Sequence, residues 1–288
     1  LASTLPANRV WLDLYRLIAA SNIHDIMDRF GGIQRLYGKA AMMKFKAAHV
    51  CVVGIGGVGS WCVESLARSG IGRITMIDLD EICISNINRQ LHAMDGEIGR
   101  QKTAAMASRV EAINPDCEVV CLETFFSSRN AEEILSNKFD YLIDAIDHAH
   151  AKSLLLASCC KHDIPVISCG AAGGLRDPSQ IQIDDITRCY NDTLINKVRK
   201  IMRSDYGFPA GADPKKKIKG RKFGISCVFS PESPVFEQCD GEVSEAKPVS
   251  DSNEPNRLNC VSGFGSITHI TATFGLFAVS RCLAKLSS

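Results

Sequence analysis

Short apolar runs alternate with helical stretches through the first two thirds of the chain. Val50-Cys51-Val52-Val53 is unbroken and of strand length, the pattern of a parallel strand buried on both faces. The spacing predicts a helix over 60–68, closed by Gly70. A strand over 74–77 ends at Asp78, and a helix over 101–113 stops at Asn114-Pro115, where the residue before proline leaves the helical region. Further strands are expected over 117–122, 141–146 and 166–168, with a helix over 152–161 before the last. Such alternation implies an α/β fold: a doubly wound, mostly parallel sheet with right-handed crossovers.

The flanks read differently. Leu12, Tyr15 and Ile18-Ala19 share one helical face, and Gly31-Gly32 is expected to break the helix before a second short one over 39–47. Beyond Gly170, residues 181–183 alternate like an antiparallel strand, and 192–203 form a charged helix. Residues 204–224 read as an exposed Gly/Pro/Lys loop and 232–254 as an acidic crossover. The expected organisation is an N-terminal helical segment (1–48), a nucleotide-binding half (49–170) and an embellished second half with an antiparallel extension (171–288), all in one domain. The apolar stretch 260–286 is interrupted by His269, Arg281 and Lys285. It reads as a buried closing helix, with membrane contact as the alternative.

Composition narrows the class. Among 288 residues, 45% hydrophobic and 23% charged are ordinary globular values, which excludes wholesale disorder. The net charge of +1 excludes a uniformly basic coat but not a local patch. From Lys197 to Lys222 there are ten Lys/Arg against Asp205 and Asp213, a segregation that suits a phosphate backbone; a solvated loop is the plainer alternative. None of the thirteen cysteines forms a Cys-x-x-Cys pair, so no zinc is expected. Scattered cysteines fit a reducing compartment. Residues 1–10 do not read as a secretory signal, so the cytoplasm is expected. An organelle is the alternative, because the chain opens without Met.

Gly54-Ile55-Gly56-Gly57-Val58-Gly59 lies between the first strand and its helix. Glycines there let the backbone approach an anion, and the helix start offers free N–H groups. Asp78, at the end of the second strand, stands where a carboxylate meets ribose hydroxyls. These features alone say nucleotide, with an NAD-dependent dehydrogenase as the default and a merely structural glycine turn as the plain alternative. Arg89, Gln90 and Lys102 shift the reading, since extra cations suit a triphosphate from which pyrophosphate departs. Asp147, just past the strand 141–146, suits Mg²⁺, which favours a carboxylate together with phosphate oxygens. Singly, Arg89 and Lys102 would pass for surface charges.

Gly54–Gly59, Asp78, Asn86, Asn88-Arg89-Gln90, Lys102 and Asp144-Ala145-Ile146-Asp147 together resemble the adenylation fold of ubiquitin-activating enzymes and molybdopterin-synthase adenylyltransferases. Arg29-Phe30-Gly31-Gly32, Arg35-Leu36-Tyr37-Gly38, Gly173-Gly174, Ser204-Asp205-Tyr206-Gly207, Cys227-Val228-Phe229-Ser230 and Ser262-Gly263-Phe264-Gly265 widen the likeness. This wider set is similar to the branch that dehydrates N6-threonylcarbamoyladenosine in tRNA to its cyclic form.

That resemblance implies ATP and Mg²⁺ as cofactors. It places Gly54, Gly56, Gly57, Gly59, Asp78, Asn86, Arg89, Gln90 and Lys102 on the nucleotide, and Asp147 on the metal. Arg35 would reach the triphosphate from the other subunit of a homodimer. Cys260 matches a candidate nucleophile, although cyclisation within one molecule needs no thioester relay. Activation of a sulfur-carrier or ubiquitin-like protein is the rival activity, and a sulfur-transfer partner protein stays open.

Overall fold

The computed structural model describes residues 29–211, 220–238, 240–246 and 264–288. Its first strand, β1 (His49–Val53), lies inside the sheet and is buried along its whole length. Alternate residues face opposite sides: Val50 and Val52 join one apolar cluster, Cys51 and Val53 the other, as the two-residue period of a strand requires. β1 pairs in parallel with β2 (Arg73–Ile77) and β4 (Tyr141–Asp144), and β2 pairs with β3 (Glu118–Leu122). β5 (Val166–Cys169) and β7 (Ser226–Phe229) continue the parallel set, and β6 (Gln182–Asp185) runs antiparallel along β7. The seven-stranded order is β3-β2-β1-β4-β5-β7-β6. It reverses between β1 and β4, where a crevice opens at the carboxyl ends of the strands.

Helices cover both faces. The helical stretch α1 (residues 29–47), α2 (Gly59–Arg68), α3 (Lys102–Ile113) and α7 (Thr268–Ser287) pack on one cluster. α4 (Ala131–Leu135) and α5 (Ala149–Lys161) cover the other face, and α6 (Thr193–Asp205) packs beyond them against β7. α7 is long and apolar enough to cross a membrane by length and composition. Its Ile270, Phe274, Ala278 and Cys282 are nevertheless fully buried in the core, while His269, Arg281 and Lys285 face outward. Phe274→Ala would cost about 3–5 kcal/mol, the usual penalty for emptying a core aromatic site. Gly275 lets α7 meet α2 closely, since a Cβ there would stand 2.8 Å from the Val58 carbonyl oxygen.

Several expectations change. The interruption expected at Gly31-Gly32 falls instead at Gly38, whose φ of 86° is incompatible with an uninterrupted right-handed helix. The strand expected over 141–146 stops at Asp144, whose Oδ1 accepts the Ile146 N–H (3.1 Å) and turns the chain out of the sheet. Neither β7 nor α4 is expected as an element from the sequence pattern. The acidic stretch contains a small hairpin, β8 (Phe236–Glu237) with β9 (Val243–Ser244), rather than a plain crossover. The predicted helix around Leu12, the lysines 215–219 and the remainder of the acidic stretch lie outside the described residues.

Candidate active site

The β1–α2 turn is built by backbone contacts that only glycine permits. Gly54 has φ 88°, and a Cβ on it would stand 2.8 Å from the Ala145 carbonyl oxygen. At Gly59 a Cβ would fall 1.7 Å from the Gly54 carbonyl oxygen, so the turn closes on itself. No side chain caps α2 and its first turn carries no acidic residue, which leaves backbone N–H groups and the positive end of the helix dipole for an anion.

Asp78 holds this turn in shape: its Oδ2 accepts the Ile55 N–H (2.6 Å) and its Oδ1 the Asp80 N–H (2.8 Å). Each oxygen keeps a further lone pair, so clamping the turn and receiving ribose hydroxyls are compatible. Behind the turn, His92 is buried with Nε2 2.8 Å from the Ile55 carbonyl oxygen. Burial pushes its imidazole below the ordinary value, so it braces the loop as a neutral ring.

A cleft of about 1130 Å³ opens in front of the turn and crosses the end of the sheet. Gly54, Gly56, Gly57, Asp78, Arg89, Gln90 and Asp147 all line it. Arg89 is steered by its own turn, donating to the Ser85 carbonyl oxygen (2.7 Å) and to Asn88 Oδ1 (3.0 Å). Gln90 Oε1 is buried in the cleft wall with no hydrogen-bond partner among the described residues, an acceptor that is costly to leave unpaired without a ligand or water. Asp147 is exposed in the cleft just past the sheet.

Besides Gly59, which is buried inside the turn, three expected site residues stand apart from the cleft surface. Asn86 is buried and spends Oδ1 on the Cys83 N–H (3.0 Å), while its carbonyl oxygen takes the Arg89 and Gln90 N–H groups. It builds the turn that presents Arg89 and Gln90. Lys102, at the start of α3, is buried with Nζ 2.7 Å from Asp80 Oδ2, and it is Asp80 that lines the cleft. Arg35 is exposed on α1, away from the cleft of its own chain. Cys260 lies outside the described residues. Cys227 is fully buried, and burial holds its thiol well above the ordinary range, so it is no nucleophile at neutral pH.

Sequence reasoning marks Lys197, Lys200 and Gly173 but does not join them to the nucleotide turn, and it misses the rest of the far side of the cleft. His148 and His150 at the start of α5, Gly170 to Gly173 after β5, and Lys197 and Lys200 on α6 complete the wall. Periodicity marks α6 as a charged helix, but only the fold shows that two of its lysines line the same cleft as the nucleotide turn. Phe125, 60% exposed on the lip after β3, offers an aromatic face without a predicting motif.

The geometry suits a nucleotide whose phosphates rest on the α2 start and whose reacting end points past Asp147 toward α6. Comparison with known proteins adds a family. The ThiF family model matches residues 32–287. The chain is 48% identical over 266 residues to the tRNA threonylcarbamoyladenosine dehydratase of Haemophilus influenzae, spanning 92% of this chain and 96% of that protein. Crystal structures of the E. coli tRNA N6-threonylcarbamoyladenosine dehydratase match over 90% of this chain and 94% of theirs. The complex with ATP has a TM-score of 0.76 at 41% identity, and the complex with AMP 0.77 at 42%. With the family model matching nearly its whole length and relatives aligned over nine tenths of it, the chain belongs to the ThiF family.

Proposed function

We propose that this chain dehydrates N6-threonylcarbamoyladenosine in tRNA to its cyclic form, with ATP as the activating substrate. The observation that carries this reading is the single cleft joining the glycine turn, Asp78 and Asp147 to Lys197 and Lys200. Nucleotide and nucleic-acid substrate can therefore meet over one carboxylate.

At neutral pH a carboxylate could lose its oxygen only as hydroxide, a poor leaving group, which is why the chemistry needs ATP. A threonyl carboxylate oxygen attacks the α-phosphorus, and the bond to pyrophosphate breaks. The carbamoyl group of the same side chain then attacks the acyl carbon and gives up its N–H proton to solvent; the bond to the AMP oxygen breaks, and AMP leaves with the electron pair and the former carboxyl oxygen. The net loss is one water, with ATP converted to AMP and pyrophosphate. Ring closure is intramolecular, so positioning can supply effective molarities of roughly 10⁵ M or more. Little acid–base machinery is required.

The chain's residues supply binding and charge. Backbone N–H groups at the start of α2 hold phosphate, Asp78 receives the ribose, and Arg89 faces the departing pyrophosphate. Lys102 acts through Asp80, fixing that carboxylate at the cleft edge. Asp147 is the carboxylate suited to Mg²⁺: it is exposed in the cleft, beside the phosphate turn, and a hard divalent ion needs only one or two carboxylates beside phosphate oxygens. Bound there, Mg²⁺ would neutralise charge on the phosphates. This reading includes no zinc, and no sulfur-transfer partner is required, because the reaction neither gains nor loses sulfur. Cys260→Ser is accordingly expected to retain ring closure.

Arg35 belongs to the reading through a second copy of the chain. Beside it on α1, Leu36 is 77% and Met43 65% exposed, an apolar face suited to a homodimer in which each Arg35 reaches the partner's cleft. Mixing inactive Arg35→Ala with inactive Asp147→Ala should regain AMP formation, because some mixed dimers then carry one intact composite site. Failure to complement would remove Arg35 from the mechanism.

The overall reading is tested by supplying ATP, Mg²⁺ and tRNA bearing the modified adenosine. The expected result is one AMP and one pyrophosphate for each nucleoside that loses the mass of a water. AMP formation that depends on a protein C-terminus and ignores RNA would replace this reading with carrier-protein activation.

A further inference from the structure

Beneath the cleft floor lies a polar cluster that the chemistry above does not use. Lys152, on α5, is fully buried. Its Nζ donates to Asp144 Oδ2 (2.7 Å), to the Cys169 carbonyl oxygen (2.9 Å) and to Ser168 Oγ (3.3 Å), so all three ammonium protons are spent. Ser168 Oγ in turn donates to Asp144 Oδ2 at 2.7 Å. The ammonium thus ties the end of β4 to the end of β5, on the two sides of the cleft floor.

The same cluster leads directly to the proposed metal carboxylate. Asp144 Oδ1 accepts the Ile146 N–H (3.1 Å), one residue before Asp147, and so sets the turn from which Asp147 projects. Ala145, inside that turn, packs on Gly54 and Gly59 of the phosphate turn. Burial pushes the Asp144 carboxyl up while Lys152 and Ser168 pull it down, which makes Lys152 the counter-charge on which this arrangement depends. A buried pair of this kind is weak evidence for stability alone, since apolar replacements of similar volume often do as well.

We propose that Lys152 and Asp144 are positioning residues that hold Asp147 at the distance from the phosphate turn at which one Mg²⁺ can bridge carboxylate and nucleotide. The proposal rests on the reading of Asp147 given above, but not on the identity of the second substrate. Its test is therefore equilibrium binding without tRNA: ATP affinity measured with Mg²⁺ and with EDTA, for the wild type, Asp147→Ala and the paired variant Asp144→Asn/Lys152→Met. The paired variant removes both charges together and avoids leaving one buried alone.

The wild type should bind ATP more tightly with Mg²⁺, and Asp147→Ala should lose that advantage. The paired variant should lose at least about fivefold of the same coupling while its affinity in EDTA and its thermal midpoint stay close to wild type. A paired variant that keeps the full Mg²⁺ advantage overturns the proposal, as does a wild type indifferent to Mg²⁺. Should the paired variant not fold, Ser168→Ala deletes one hydroxyl from the cluster. It should lower the coupling by a smaller factor, and no change there overturns the proposal equally. Absence of tRNA dehydration with this coupling intact would instead count against the proposed reaction alone.

Discussion

The two ends of the cleft are made of different materials. At the nucleotide end the phosphate cradle is backbone, and contacts such as the 1.7 Å approach of a Cβ built onto Gly59 exclude any side chain from it. At the α6 end the wall is side chain: Lys197 and Lys200 stand exposed on a helix whose other face, Ile195, Val198 and Met202, is buried. A backbone cradle is rigid and fits one chemical shape, a phosphate chain. A row of long cations adapts, and it suits a polymer whose phosphates need neutralising rather than close fitting. The first end should therefore fail abruptly on substitution and the second gradually.

Gly59→Ala tests the abrupt end most severely. The added methyl collides with a backbone carbonyl that cannot give way, and overpacking of this sort costs about 1–3 kcal/mol before any effect on ligand. ATP binding should be lost in calorimetry, whereas Gly265→Ala, with open space around it, should bind normally. Asp147→Ala comes next: AMP release should fall by about 10²–10³, the usual range for removing one electrostatic partner of a transition state. On the adaptable end, Lys197→Ala/Lys200→Ala should leave ATP affinity unchanged. It should weaken tRNA binding and lower the slope of log affinity against log salt by about 0.7–0.9 for each phosphate no longer neutralised. Neutralising Lys215, Lys216 and Lys217 should flatten that slope further if these lysines also meet the RNA.

The smallest effect sharpens the comparison from behind the turn. His92 is held neutral by burial, whereas the unfolded chain takes up a proton near the ordinary imidazole value of about 6.5. Below that pH the unfolded state binds more protons than the fold, so stability should fall as the solution is acidified from neutrality. His92→Gln should reduce that acid sensitivity in thermal unfolding, although it disturbs the contact with the Ile55 carbonyl.

The contrast between the two ends also explains how much of the site is legible in the amino-acid sequence. The Gly54–Gly59 turn, Asp78 and Asp147 can be placed at one cleft from the sequence, because their places follow from position along one strand–turn–helix or one strand end. Asn86 and Lys102 resemble nucleotide ligands, yet each is bonded to a neighbour, and only packing reveals Asp80 as the group that Lys102 holds at the cleft. Gly31-Gly32 and Gly38 are alike as letters; the break falls at Gly38, where the chain adopts a left-handed φ. The strand expected to reach Ile146 ends early because an aspartate inside an apolar run can bond its own backbone. Lys152 and Ser168 give no signal at all, since their meaning lies in β4 and β5 being neighbours.

The central claim is that a carboxyl oxygen of the substrate departs on the nucleotide. It is tested most directly by labelling the threonyl carboxylate of the tRNA substrate with heavy oxygen and weighing the AMP released. One heavy oxygen in the AMP phosphate for each ring closed is the predicted result. Unlabelled AMP, with the heavy oxygen recovered in water, would contradict it.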